Sequence, residues 1–398
     1  MQIFKKRLQA LLCKIRFTNK FNYISKIGAE PFLFTDNNPN LYPVISQVAN
    51  SAAMNIAQSL RDGTDISGLE EELYTEIETK LQLQLEKDAL LRKLQLAELD
   101  ILVDFDAFCR KHNLKYYVVG GTLIGAVRHK GFIPWDDDID VSMPREDFDK
   151  MMKLLPKELS DKYFLQNEKT EKGCYFYYAK LRKNGTYFGE DKFEHTALHK
   201  GIFMDIFPLD YIYDNSFLQK LTFEAFTKLG LLVCSKKKTS ETLYNNSKIR
   251  TILFFKFLQA ILPCKFMLWL RRMAGKCAHK LSKKNLRCSL NGFHGYPKEI
   301  APDKWWGEGV DIEFEGHTFR APSEYHKLLT HMFGDYMELP PVNKRKAHVV
   351  ASESIIFSGV SNDDYKPKFK KKFTHRYKIS KYKVIKPSTP EEIDKNQK

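Results

Sequence analysis

The chain has no CxxC pair among its seven cysteines and no cysteine–histidine spacing of the zinc-site type. That excludes a structural zinc ribbon and thioredoxin-like chemistry, and an odd, scattered set reads as reduced thiols. It has no Walker Gly-Lys-Ser/Thr and no dinucleotide glycine spacing, which removes both of those nucleotide classes. It lacks a clean membrane span: ILFFKFLQAILPCKFMLWL (252–270) is interrupted by Lys256, Gln259, Pro263 and Lys265. The apolar stretch near Leu8–Cys13 is too short for a secretory leader and no small-residue cleavage site follows it. A cytoplasmic protein is the expectation. Carboxylates are also missing from one long stretch. Residues 242–298 hold no Asp or Glu but twelve Lys and Arg.

What the chain does have is size, aromatic content and positive charge. Its 398 residues, 43% hydrophobic and 13% aromatic, are enough for a sizeable core. The formal charge of +15 implies an anionic partner. The N-terminal extension, 1–67, opens with an amphipathic basic helix in which Phe4, Leu8, Leu11, Leu12 and Ile15 share one face. That is the pattern either of a membrane-surface helix or of a terminal helix docked on its own domain. Residues 68–212 read as the core region, entered through one or two long helices over 68–112, where Leu69, Leu73, Ile77 and Leu81 repeat every fourth position. Residues 213–299 read as a basic, apolar helical insertion, lying in an anionic lipid headgroup region or packed on the core. A C-terminal part of the core at 300–360 precedes a basic tail at 361–398 with twelve Lys and Arg against five Asp and Glu. The basic residues gather in an insertion and a tail rather than along an aromatic-lined groove, so nucleic acid is not the expected partner.

The densest chemistry lies in YYVVGGTLIGAVRHKGFIPWDDDIDVSM (116–143), read as strand, glycine turn, helix, then a carboxylate cluster. Asp138 and Asp140 alternate with Ile139 and Val141, so a strand puts both carboxylates on one face and both apolar side chains on the other. Like charges held together call for a divalent cation. Asp136 and Asp137 are either further ligands or acidic turn residues without a ligand role. Gly120 and Gly121 let the backbone approach a phosphate, and Thr122 either caps the following helix or offers that phosphate its hydroxyl. Arg128, His129 and Lys130 close the helix; Arg128 is the preferred contact to a donor phosphate. Lys180 and Arg182, two apart on a strand, point the same way and could neutralise a diphosphate. Asp205, among apolar residues in IFMDIFPLD, is a buried strand carboxylate in need of a partner, and Asp210 reads as a turn residue or a cap.

Three ordered blocks resemble the LicD/fukutin-related family: GGTLIGAVRHKGFIPWDDDIDVSMPREDFDKM (120–151), KLRKNGT (180–186) with GIFMDIFPLD (201–210), and FEGHTFRAPSEYHKLLTHMFGDYMELPPVNKRKAH (314–348). The resemblance implies an α+β, nucleotidyltransferase-like fold with a mixed sheet and flanking helices, and Asp205 as the third carboxylate beside Asp138 and Asp140. It implies Mg²⁺ or Mn²⁺ as cofactor and transfer of a phosphorylated small group, typically phosphocholine from CDP-choline, onto a glycan of lipopolysaccharide, teichoic acid or capsule. In that scheme Asp205 shares a metal and takes the acceptor's proton. Trp135 and the Tyr175–Tyr178 run are candidates to face a choline cation. The basic, apolar insertion would place the enzyme at the cytoplasmic face of a membrane. A DxD glycosyltransferase using a nucleotide sugar satisfies Asp138-Ile139-Asp140 as well. So does transfer of a phosphoalditol or phosphoethanolamine-like group.

Overall fold

The computed structural model describes residues 69–189, 196–236, 261–292, 294–341, 344–345 and 355–365. The amphipathic helix read at 1–17, residues 237–260 of the insertion and the tail beyond 365 lie outside them.

Helix α1, Leu69–Lys111, is a single element of 43 residues. In its second half Leu94, Ile101, Leu102, Phe105, Phe108 and Cys109 recur at three- and four-residue steps and enter the main core. It ends where Asn113 takes a left-handed conformation (φ 50°) and Leu114 N–H donates to the Cys109 carbonyl at 2.9 Å. The chain then forms β1 (Tyr117–Val118), α2 (Gly120–His129), β2 (Asp140–Pro144), α3 (Arg145–Glu158), β3 (Tyr163–Gln166), β4 (Ala179–Lys183), β5 (Tyr187–Phe188) and β6 (Phe203–Ile212).

The sheet is mixed, in the order β1-β2-β6-β4-β3. β2 runs parallel to β6, and the other pairs along that path are antiparallel. A parallel pair needs a crossover, and α3, β3 and β4 supply it. β6 is the longest strand, ten residues and buried at all but Phe207, because helices and neighbouring strands cover both of its faces. Ile139, Val141, Met143, Met204 and Ile206 put their side chains into the core that α1 also enters. The alternation read at 138–141 thus holds for its apolar half. The architecture is the expected mixed α+β one.

The segment 213–299 is tied to this sheet. Helices α4 (Ser216–Lys236) and α5 (Cys264–Leu281) pack on each other, and α5 on β6. Strand β7 (Leu286–Cys288) then pairs with the end of β6, Asp210 opposite Cys288, and with β8 (Ile300–Pro302). Ile212, Phe223, Phe226, Ala278, Cys288 and Leu290 form a second apolar cluster there. Arg271, one of the cations of the acid-free stretch, is buried: it donates to the Tyr175 carbonyl at 3.0 Å and to Asn291 Oδ1 at 2.7 Å. Beyond β8 come α6 (Asp303–Trp306), the hairpin β9 (Val310–Phe314) and β10 (His317–Ala321), α7 (Tyr325–Phe333) and β11 (Ile355–Ile356) paired with β5. Among the described residues no helix is long and apolar enough to cross a membrane.

Candidate active site

Strand register builds the site. Asp140 on β2 lies opposite Asp205 on β6, and Asp205 lies opposite Lys180 on β4. Residues opposite one another on paired strands project to the same face, so three charged side chains form one row across three strands. Lys180 Nζ stands 2.9 Å from Asp205 Oδ1 and 3.1 Å from Oδ2, and its ammonium lies 3.4 Å from the Phe203 ring centroid. Asp205 thus has the partner its burial requires, and Lys180, which the sequence offered to a diphosphate, is engaged with it.

The N-terminus of α2 lies against this row. Gly120 has φ +59°, and a β-carbon there would stand 3.1 Å from Asp140 Oδ2; at Gly121 it would overlap Asp136 Oδ2. The two glycines therefore bring helix-terminal N–H groups, and the positive end of the helix dipole, close to two carboxylates. Val119 is the N-cap and makes no side-chain cap. Thr122 sits inside the first turn, so the capping reading is corrected: its Oγ1 accepts the Asp140 N–H at 2.9 Å and fastens α2 to β2.

Asp138 precedes β2, and its carboxylate groups with those of Asp136 and Asp137. The ligand oxygens of these three lie within 4.8 Å of one another. Asp136 and Asp137 are both buried. Asp140 is pushed well above the usual carboxylate range by burial first, then by Asp138, Asp205 and Asp136, with Lys180 acting the other way.

Helix α1 adds two residues that the sequence did not single out. Gln95 Nε2 donates to the Asp136 carbonyl at 2.9 Å, locking the acidic loop to the helix. Glu98, one turn on, is fully buried, and neither carboxylate oxygen has a hydrogen-bond partner. Burial, and then Asp138, Asp137, Asp136 and Asp140 in that order, raise its carboxyl well above its ordinary value. A glutamate in the apolar stripe between Leu94 and Leu102 is the signal that would have found it.

The remaining candidates are placed differently. Arg128 ends α2 and donates to the Tyr336 and Glu338 carbonyls at 2.8 and 3.3 Å. Burial and the charge of Arg345 both lower its pKa, and Arg345 lies 5.3 Å from the centre of the Trp135 ring. Two guanidinium groups thus share the vicinity of the residue that precedes Asp136. Arg182 is buried on β4 and donates to Gln166 Oε1 at 2.6 Å and the Gly201 carbonyl at 2.9 Å, which makes it a strut between strands. Phe176, Tyr178 and Phe207 stack in sequence beside Lys180, with centroids 5.0 and 4.8 Å apart. Asp210 corrects its reading as a turn residue or cap: it lies inside β6 and accepts a two-pronged contact from Arg145 at 2.7 and 2.6 Å.

The donor set around Asp138 is all oxygen, the chemistry that hard divalent cations prefer, and three clustered carboxylates fit such an ion. The family model described as LicD/FKTN/FKRP, nucleotidyltransferase domain, matches residues 113–229, which include Asp136–Asp140, Lys180 and Asp205. The lipopolysaccharide cholinephosphotransferase LicD of Haemophilus influenzae is 31% identical over 274 residues, covering 68% of this chain and all of that protein. An uncharacterized protein of Rickettsia typhi is 30% identical over 138 residues, 33% of this chain and 40% of its own length. One from Rickettsia prowazekii is 38% identical over 74 residues, 19% of this chain and 28% of its own. With the LicD protein aligned along its whole length, the chain belongs to the LicD/FKTN/FKRP family.

Proposed function

We propose that the protein transfers phosphocholine from CDP-choline onto a hydroxyl of a cell-surface glycan, at a nucleotidyltransferase-like site that uses Mg²⁺ or Mn²⁺. The observation that carries this reading is the Asp140–Asp205–Lys180 row beneath the glycine-opened end of α2, in a chain aligned with the whole of a lipopolysaccharide cholinephosphotransferase.

Asp138, Asp140 and Asp205 would hold the cation. When bound, it supplies charge neutralisation for the donor's diphosphate and the leaving CMP. The chain's own groups do the rest. The first N–H groups of α2 receive phosphate oxygens, since the first turn of a helix leaves them without intrahelical acceptors. Arg128 and Arg345 set positive charge beside Trp135, where the nucleotide end of the donor would lie. Asp205 takes the proton of the attacking hydroxyl, and Lys180 holds that carboxylate in place. The stacked Phe176, Tyr178 and Phe207 offer ring surface to the choline cation.

A lipopolysaccharide acceptor like that in the Haemophilus influenzae relative's name would be carried by a lipid, and the basic helical pair suits that location. Phe266 and Trp269 on α5 are stacked and half-exposed, and Phe217 and Leu221 on α4 are more exposed still. Apolar side chains among lysines suit an anionic membrane surface, here assigned to the cytoplasmic face. The test of donor class is to incubate the purified protein and acceptor glycan with CDP-choline or with UDP-sugars. Release of CMP with phosphocholine appearing on the glycan is expected; release of UDP instead would make it a DxD glycosyltransferase.

A further inference from the structure

Glu98 lies on α1, outside the stretch matched by the family model. Its side chain is completely inaccessible, and both oxygens lack a hydrogen-bond partner. A carboxylate in that state is costly, and a neutral acid group would leave the same polar atoms unsatisfied. The placement is not accidental to the helix. Gln95, three residues earlier and on the same face, is fixed to the Asp136 carbonyl at 2.9 Å, so the face that carries Glu98 is the face turned to the acidic loop. The charges that act on Glu98 are Asp138, Asp137, Asp136 and Asp140, with no cation among them.

The oxygens of Asp136, Asp137 and Asp138 meet within 4.8 Å. Ligands of one Mg²⁺ lie up to about 4.2 Å apart and those of the larger Ca²⁺ up to about 5 Å, given metal–oxygen distances near 2.1 and 2.5 Å. The three aspartates therefore need only a small contraction around Mg²⁺ or Mn²⁺. Asp140, Asp205 and Glu98 stand outside this group in the metal-free structure; Asp140 and Asp205 belong to the row that Lys180 joins, and Glu98 approaches the loop from α1.

We propose that Glu98 is a ligand of a second divalent cation, held with Asp136 and Asp137 and bridged through Asp138 to the cation assigned to Asp140 and Asp205. Glu98 makes α1 part of the site. The sheet carries one cation and the helix helps carry the other, so the cations also join α1 to the loop before β2. This rests on the metal-dependent reading above and extends it from the sheet to the helix.

The test is a titration of the full-length protein with Mn²⁺, free ion being read by electron paramagnetic resonance, with melting temperatures followed as Mg²⁺ is added. Two ions per chain are expected for the wild type. For Glu98→Gln, one of them should weaken by tenfold or more, with a smaller Mg²⁺-induced rise in Tm. A single ion in the wild type, or two of unchanged affinity in Glu98→Gln, would overturn the inference and leave the single-cation reading standing. No Mn²⁺ bound at all would overturn both. The stoichiometry is measured on the wild type, so the test does not depend on how well the variant folds.

Discussion

Glu299 accepts the His294 N–H at 2.9 Å and its carboxyl lies tight against Gly292, where no β-carbon would fit. Burial holds its pKa up to about 7 from 4.5, with the His294 hydrogen bond acting the other way. Between those values the native state keeps a proton that the unfolded chain has released, so stability falls as pH rises through that window. The full effect is about 3 kcal/mol, from roughly 1.4 kcal/mol per pH unit. Glu299→Gln should therefore raise Tm by several degrees at pH 8 and by little at pH 4. Equal shifts at both pH values would contradict the assignment. At the active site the same residue-level logic separates what could be read from the sequence. Asp138 and Asp140 announce themselves by alternation with Ile139 and Val141. Asp205 shows as a lone charge in an apolar strand. Its bond to Lys180 does not show, because it depends on how β4 and β6 align.

Helix α1 was legible as an element through its proline-free, four-residue repeat, yet its part in the site was not. Gln95 and Glu98 meet Asp136 and its neighbours only because the sheet turns the acidic loop under the helix. The acid-free stretch was also legible as helical, and Pro263 stands as the N-cap of α5. Periodicity could not tell which of its cations face solvent: Arg271 is spent on Tyr175 and Asn291 inside the helical pair. The exposed pair Phe266 and Trp269 marks the outer face instead, with the Trp269 side chain and backbone 50% accessible. Wild-type protein should bind vesicles containing phosphatidylglycerol, and Trp269→Glu should lower that affinity about tenfold, with no loss of Tm because the ring supports no core cluster. Equal binding by both proteins, or none by the wild type, would remove α5 from the membrane interface.

Across the whole molecule, charge is sorted by region. The formal +15 resides largely in the insertion and the tail, while Asp136, Asp137 and Asp138 gather just before β2. A basic insertion and tail suit an anionic membrane or lipid-linked glycan, and clustered carboxylates suit a divalent cation with a diphosphate donor. The three sequence blocks make a single site because β2 and β6 are parallel neighbours and the C-terminal block returns beside α2, where Tyr336 and Glu338 accept from Arg128. The most direct test of the central claim is Mg²⁺-dependent release of CMP from CDP-choline in the presence of acceptor glycan, measured for the wild type, Asp138→Asn and Asp140→Asn. A loss of about 10³-fold or more in each variant, near 4 kcal/mol of barrier, with melting curves that still show a folded protein, is the predicted result. Undiminished CMP release by a folded Asp140→Asn protein would contradict it.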